Sequence, residues 1–337
     1  MSIRDVARRA GVSPATVSKA LNGTGSVSAQ TQRRIEQAAA ALGYQPNERA
    51  RSFATRQSRR IAFLADFPFD AAFVNPHLFE IMRGVQHTLD KRGYSLTMKQ
   101  ATARQAIAYV EEAFAGRQVD GVVLHMSVVT KKLAAQVLSL GLAHVVIGKP
   151  DFESRLCWID TDNCLSGELA ARYLVKNGCR EIAFVGGRPD DMTSWRRLLG
   201  VRNALRECGV ELPGERVIQS NSTLPDGVRA ARKLLRLRPQ AVICANNPIA
   251  LGVMQGLSER GVRVPQDMQL IAFDTYPFSL LTDPPMTVVD VNMYEMGQEA
   301  GRLVLRKIRH PDAHIQSYST TPTLLCRGTT PAQWEET

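Results

Sequence analysis

Over the first 45 residues, apolar and polar positions recur at helical spacing. Ser2 and Asp5 form an S-x-x-D start, and Ile3, Val6, Ala7 and Ala10 fall at i, i+3, i+4 and i+7, which predicts a first helix. Gly11 tolerates the positive φ of a tight turn. Ser13 then reads as an N-cap, Pro14 suits the first helical position, and Val12 can staple onto Val17. On this second helix Val17, Ala20 and Leu21 share one face, while Ala15, Ser18, Lys19 and Asn22 share the opposite one. Ser28 opens a third helix with Ile35, Ala38 and Leu42 inward and Gly43 at its end.

From Arg60 the period changes. Nine short apolar runs (IAFLADF, SLTM, GVVLHM, HVVIG, IAFVGG, VIQS, AVICA, QLIAF and TVVDV) alternate with helical stretches near 78–91, 103–115, 163–177, 194–208, 226–237, 249–260 and 294–309. That alternation predicts parallel sheets with crossover helices, and nine or ten strands exceed one core, so two lobes are expected. Ligands in such folds sit at the carboxyl ends of the strands.

Charge sharpens the division. Of a net charge of +10 over 337 residues, residues 1–60 carry eleven Lys/Arg against three acids. A basic head on a nearly neutral body is the layout of a nucleic-acid binder with a separate second function. No run is apolar enough for a membrane span, and the charged start MSIRDVARR is unlike a signal peptide, so a cytoplasmic protein is expected. Six cysteines without CxxC spacing read as reduced, mostly buried thiols. Searches for catalysis, cofactor or metal chemistry give no match: GGRPDD has no following GK[ST], and there is no GxGxxG, HExxH or GxSxG. No enzyme, cofactor or metal is expected.

Two short helices around a glycine turn, the second with a small, polar, basic outer face, make a helix-turn-helix. Small residues let the helix axis approach the major groove, and Lys19 can donate to guanine O6 and N7. The segments SIRDVARRAGVSPATVSKALNG and VSAQTQRRIEQAAAALGYQPNERARSF closely resemble the N-terminal region of the lactose-repressor (LacI/GalR) family. The resemblance implies that Pro14, Ala15 and Lys19 read bases, with Ser13, Thr16, Ser18 and Asn22 supporting them or touching phosphates. Lys19 stands where most relatives have Arg or His. PNERARSF resembles the family's hinge helix, with Phe53, in place of the usual Leu, as the apolar wedge in the minor groove and Arg49 and Arg51 at phosphates.

The body resembles the same family's effector core through NPHLFEIMRGV, DNCLSGELAARYLVKNGCREIAFVGG, ANNPIALG and PPMTVVDVNMYEMGQEA, among other segments. Several positions there have chemical content of their own. Arg197 can grip hydroxyls or a carboxylate, Asp274 can accept two vicinal hydroxyls, and Asn246 offers donor and acceptor. His77 and Leu78 open a helix, and Met126 and Ser127 end a strand. The resemblance places all seven at the ligand cleft. Asn247 stands where many relatives have Asp, and Ser222 where an aromatic ring often stacks, which leaves Trp195 or Tyr276 to stack instead. Competing readings make Arg197 a surface arginine, Asp274 a helix or turn cap, His77 a cap histidine and Trp195 a core or interface residue.

The expected fold is an N-terminal all-α helix-turn-helix DNA-binding domain (1–45), a hinge helix and linker (46–60), and an α/β two-lobed periplasmic-binding-protein-like effector domain (61–330). Lobe one is placed at about 61–160 and 291–320, lobe two at about 161–290 and 321–330. The expected function is a bacterial repressor that binds a pseudo-palindromic operator as a homodimer and is released by a small sugar, polyol or derivative. A co-repressor-dependent regulator is the alternative. A transport receptor would share the two-lobed body, but the charged start and the basic head argue against it, and a sugar-modifying enzyme would share the cleft but lacks a catalytic constellation. The C-terminal PAQWEET shows no leucine heptads, so a tetramerising coiled coil is not expected.

Overall fold

The computed structural model describes residues 1–22, 26–44, 57–66, 76–186, 191–275 and 278–331. Its contacts divide the chain into residues 1–60 with 111–120, and residues 61–110 with 121–337. Arg49, Arg51 and Phe53, expected in a hinge helix, and also Tyr276, lie outside the described residues.

In the first unit, α1 (Ile3–Ala10), α2 (Pro14–Asn22) and α3 (Ala29–Ala41) close on Val6, Ala7, Ala10, Val17, Ala20, Ile35, Ala38 and Ala39. The helix starts follow from their caps. Asp5 accepts from the Ser2 backbone N–H at 2.9 Å, Ser13 Oγ from the Thr16 N–H at 3.1 Å, and Ser28 Oγ from the Thr31 N–H at 3.3 Å. Each such cap is worth about 1 kcal/mol. Gly11 ends α1 at φ +63°, and Arg34 on α3 donates to the carbonyl of Ala10, putting its charge at the negative end of α1. Farther along, the Asp120 carboxylate accepts the backbone N–H groups of Ser58 (2.7 Å) and Arg59 (2.8 Å), fixing the approach to the first strand.

In chain order the remaining elements are β1 (Arg60–Ala65), α4 (Pro76–Asp90), β2 (Ser95–Gln100), α5 (Ala103–Ala115), β3 (Gly121–His125), α6 (Lys131–Ser139), β4 (Ala143–Ile147), β5 (Trp158–Thr161), α7 (Asn163–Lys176), β6 (Ile182–Val185), α8 (Met192–Glu207), β7 (Val217–Ile218), α9 (Leu224–Leu237), β8 (Ala241–Cys244), α10 (Asn247–Ser258), β9 (Gln269–Phe273), β10 (Thr287–Asp290), α11 (Met293–Arg309), β11 (Tyr318–Thr320) and β12 (Thr323–Leu325). Two six-stranded sheets result, ordered β11-β5-β4-β3-β1-β2 and β12-β10-β9-β8-β6-β7. The pairs β1–β3, β3–β4, β4–β5, β5–β11, β6–β7, β6–β8, β8–β9 and β9–β10 are parallel, while β10 and β12 are antiparallel, with Val288 facing Leu325. The first sheet packs with α4 and α11 around Ile61, Phe63, Val123 and Val304; the second encloses Phe184, Ile243, Phe273 and Val289. The four-residue runs IAFV and AVIC are fully buried, as strands covered by helices on both faces must be.

The chain crosses between the sheets three times: from β5 to α7, from β10 to α11, and from β11 to β12. The twelve strands among the described residues exceed the nine or ten expected. β5, β11 and β12 have only three or four residues with mixed burial, too few for a clear alternation. The expectation also omitted α6, whose start is set by Thr130 capping the Leu133 N–H. The cysteines are all free; Cys157, Cys179 and Cys244 are buried, Cys164 and Cys208 half-buried, and Cys326 exposed.

Candidate functional site

On the head, the outer face of α2 is open. Ser13, Pro14, Ala15 and Lys19 are exposed and Thr16 and Ser18 half-buried, while Val17 and Ala20 turn inward. Ser13 and Thr16 hydroxyls also lie 2.9 Å apart, so the residues that start the helix are tied to each other. Asn22 closes α2.

The body holds a cavity of about 310 Å³ between its sheets. It opens where strands end: Asp66 follows β1, His125 ends β3, Gly148 follows β4, Asp160 and Thr161 close β5, Ala245 follows β8 and Asp274 follows β9. This is where open parallel sheets leave space for a ligand, because their crossover loops part there. Leu78, Ile81, Met126 and Ile147 give the first-sheet side an apolar wall. Among the described lining residues the only rings are the imidazoles of His77 and His125.

Asp274 organises the second-sheet side. Its backbone sits at φ +74°, a left-handed conformation that Asp tolerates better than most side chains. Its N–H donates to Val289 O at 2.9 Å, and its carbonyl accepts Asn247 Nδ2 at 3.0 Å. That turn aims the carboxylate at Arg197 Nη1 (3.8 Å) and, from the opposite lobe, His77 Nδ1 (3.3 Å). Among the described residues, Oδ1 of Asp274 is buried and accepts no hydrogen bond.

Arg197 is 3% exposed. Its Nη1 donates to Ala245 O at 2.7 Å, its Nε to Asn163 Oδ1 at 3.0 Å, and its guanidinium lies 4.3 Å over the Phe273 ring. A planar cation with several fixed donors satisfies all of these at once. Asn246 lines the cavity while its Oδ1 caps α10 through the Ile249 N–H at 3.0 Å.

The structure thus brings together His77, Leu78, Met126, Arg197, Asn246 and Asp274, and leaves out two expected residues. Trp195 is 40% exposed and does not line the cavity; at about 100° per residue it faces away from Arg197. Ser127 is exposed and is not itself in the lining, but its Oγ accepts the Asp66 N–H at 3.0 Å and sits 2.9 Å from His125 Nδ1, and both of those residues line the cavity.

Other lining residues escaped sequence reasoning, notably His125, Asp160, Thr161, Asn163, Asp191 and Ser194. Burial holds His125 down to about 4, so the ring is neutral. The Ser127 N–H donates to its Nδ1 at 3.3 Å, which leaves the proton on Nε2. Burial raises Asp160 above the usual carboxylate range, against the lowering pull of the Lys149 and Thr161 N–H groups and of Arg196, 3.3 Å away. Ser222, the position of the missing aromatic, lines the cavity and donates to Asp191 at 3.1 Å. No cluster of metal-ligating side chains occurs among the described residues, and no described helix is long and apolar enough to cross a membrane.

Comparison with known proteins agrees with both halves. Residues 2–47 match the family described as bacterial regulatory proteins, lacI family, and residues 171–330 match a periplasmic binding protein-like domain. The ribose operon repressor of Escherichia coli K12 is 31% identical over 97% of this chain and 99% of its own length. A solved complex of the transcriptional regulator CelR with cellobiose is 28% identical, with TM-score 0.73 over 98% of this chain and 99% of that one. The fold of a lac repressor dimer bound to operator and the anti-inducer ONPF superimposes with TM-score 0.85 at 24% identity, covering 98% and 99% of the two chains. With a DNA-binding head and a two-lobed periplasmic-binding-protein-like body, the chain belongs to the lacI family of bacterial regulatory proteins.

Proposed function

We propose that this chain is a ligand-responsive transcriptional repressor, acting in the cytoplasm as a homodimer on a pseudo-palindromic operator. It works by binding rather than catalysis. The observation that carries the ligand half is the buried, unpartnered Oδ1 of Asp274 in a cavity that both lobes line. A buried acceptor of this kind calls for a donor from a ligand. At 310 Å³ the cavity lies at the small end of the ~300–1,000 Å³ typical of such sites. Asp66, Asp160, Asp191 and Asp274 face it, and Arg197 is already bonded to protein groups. A neutral, monosaccharide-sized polyol suits that lining better than a phosphorylated sugar. Two relatives are named for ribose and cellobiose, which supports a carbohydrate effector.

For the DNA half, Pro14, Ala15 and Lys19 read base edges, and Ser13, Thr16, Ser18 and Asn22 position the helix at phosphates. Arg49 and Arg51 add phosphate contacts and Phe53 is the minor-groove wedge. An effector that binds one lobe arrangement better than the other shifts the population and so the affinity for operator.

The test is selection of genomic fragments on the purified protein, followed by titration of neutral sugars against the enriched complex. An enriched pseudo-palindrome, bound less tightly by orders of magnitude between about 50 and 200 mM salt, is expected. Lys19→Ala is expected to lose about 1–3 kcal/mol of discrimination at one base step in each half-site, read by binding to single-base operator variants. Sugars that release the DNA support induction, whereas sugars that tighten it make the effector a co-repressor. Absence of any enrichment with flat salt dependence overturns the reading.

A further inference from the structure

The two lobes are joined by three crossovers, and one buried hydroxyl touches all of them. Thr161 ends β5 at the first crossover and is 3% exposed. Its Oγ1 lies 3.2 Å from the carbonyl of Val291 in the second crossover and 3.1 Å from Oγ1 of Thr320 in the third. A threonine hydroxyl has one proton and two lone pairs, so it can donate to Val291 while accepting from Thr320. The next residue repeats the tie through the backbone, the Asp162 N–H donating to Thr320 O at 3.1 Å.

Thr161 is also part of the cavity lining. Its carbonyl accepts Asn163 Nδ2 at 3.1 Å, and Asn163 Oδ1 holds Arg197 Nε at 3.0 Å. From the Asp274 carboxylate, hydrogen-bonding groups therefore run through Arg197 and Asn163 to the residue that knits the crossovers. Without the hydroxyl, the second crossover loses this tie to the other two, and the first and third keep only their backbone bonds.

We propose that Thr161 is a positioning residue that fastens the ligand cavity to the hinge, binding the three crossovers into one joint about which the lobes turn. The assignment rests on the cavity being the ligand site, but its test uses no ligand and therefore stands or fails separately from the search for an effector. The experiment is amide hydrogen exchange on the full chain, comparing wild type with Thr161→Val, which keeps the shape and removes the hydroxyl, and Thr161→Ser, which keeps the hydroxyl.

In Thr161→Val, amides in all three crossovers (158–163, 290–293 and 318–323) are expected to exchange about tenfold faster. The interior strands β3 and β8 keep wild-type protection, and Thr161→Ser restores the crossovers. Acceleration confined to 158–163, no acceleration, or equal acceleration in the Ser and Val variants overturns the proposal. Should Thr161→Val fail to fold, Thr320→Val removes the same bond from the third crossover. It is then expected to loosen 318–323 and 158–163 together while sparing 290–293, and loosening of 318–323 alone overturns the proposal.

Discussion

Lobe one and lobe two repeat one strand order, with β2-β1-β3-β4-β5 answering β7-β6-β8-β9-β10, yet they face the cavity with different chemistry. Lobe one offers an apolar wall of Leu78, Ile81, Met126 and Ile147, with His77 reaching across it. Lobe two offers Arg197, Asn246 and Asp274, anchored by bonds to Ala245 O, the Ile249 N–H and Asn247. Lobe one adds Asp66, His125, Asp160 and Thr161 beside its apolar wall, whereas lobe two brings its polar side chains already held in place. Pre-organised polar groups lose little freedom when a ligand arrives, whereas a greasy wall needs no orientation and can close from any direction.

Both lobes use the same packing device, with different results. A Cβ added at Gly84 of α4 would run into the carbonyl of Tyr294 on α11, and one at Gly167 of α7 into the carbonyl of Arg197 on α8. Glycine lets each helix pair cross backbone to backbone. In lobe two alone, the backbone met is that of the cavity's arginine.

The sharpest way to break this contrast is to remove one partner of Asp274 from each lobe. Arg197→Leu leaves Asp274 buried beside His77 alone and is expected to cost about 3–5 kcal/mol in urea unfolding. His77→Leu leaves Asp274 paired with Arg197 and is expected to cost about 1 kcal/mol. Equal losses would show that the lobes share the anchoring.

Lobe one has its own half-buried ring at the cavity, His125, and pH tests it. His125 titrates near 4 in the folded chain, below the value of about 6.5 for a free histidine. The unfolded chain therefore binds the proton first. Stability is expected to be fully present above about pH 6.5 and to fall as pH drops towards 4, by up to about 3 kcal/mol. His125→Gln removes that part of the slope, seen by unfolding in urea at several pH values; an unchanged slope would place the titration elsewhere.

A smaller effect separates the glycine crossings. Gly84→Ala and Gly167→Ala are each expected to cost about 1–3 kcal/mol by overpacking. Only Gly167→Ala should also shift the emission of Trp195, which sits two residues before Arg197 on α8. A shift in both variants would mean that the two lobes relax as one.

The head was legible because its signals are local. Ser2 with Asp5, Ser13, Gly11 and Ser28 set helix ends within four residues of themselves, and the outer face of α2 follows from helical spacing. Local reading still overcounted its charge available to DNA, since Arg34 is committed to Ala10 O across 24 residues of sequence. The cavity was half legible. Asp274, Asn246 and Met126 stand next to strands buried along almost every residue, and that place can be read from the apolar runs, with the family resemblance pointing to the cleft. Asp160 and Thr161 belong to a four-residue strand of mixed burial, and Asn163 holds Arg197 from 34 residues away. No periodicity encodes such a partner. Trp195 shows the opposite case: an aromatic two residues from the cavity's arginine, it is turned outward by the helix and is 40% exposed.

The route of the chain carries a consequence for synthesis. Lobe one emerges from the ribosome first, but its core is completed by Met296, Ala300, Leu303, Val304 and Leu305 of α11 and its sheet edge by β11, close to the C-terminal end. Lobe two in turn takes its edge strand β12 from the segment that follows. Neither half can mature as an independent domain while the chain is being made, so the usual N-to-C order of domain folding does not apply within the body. A nascent chain stalled before residue 293 would expose the face meant for α11, and truncation there is expected to produce a chaperone client rather than a smaller ligand-binding protein.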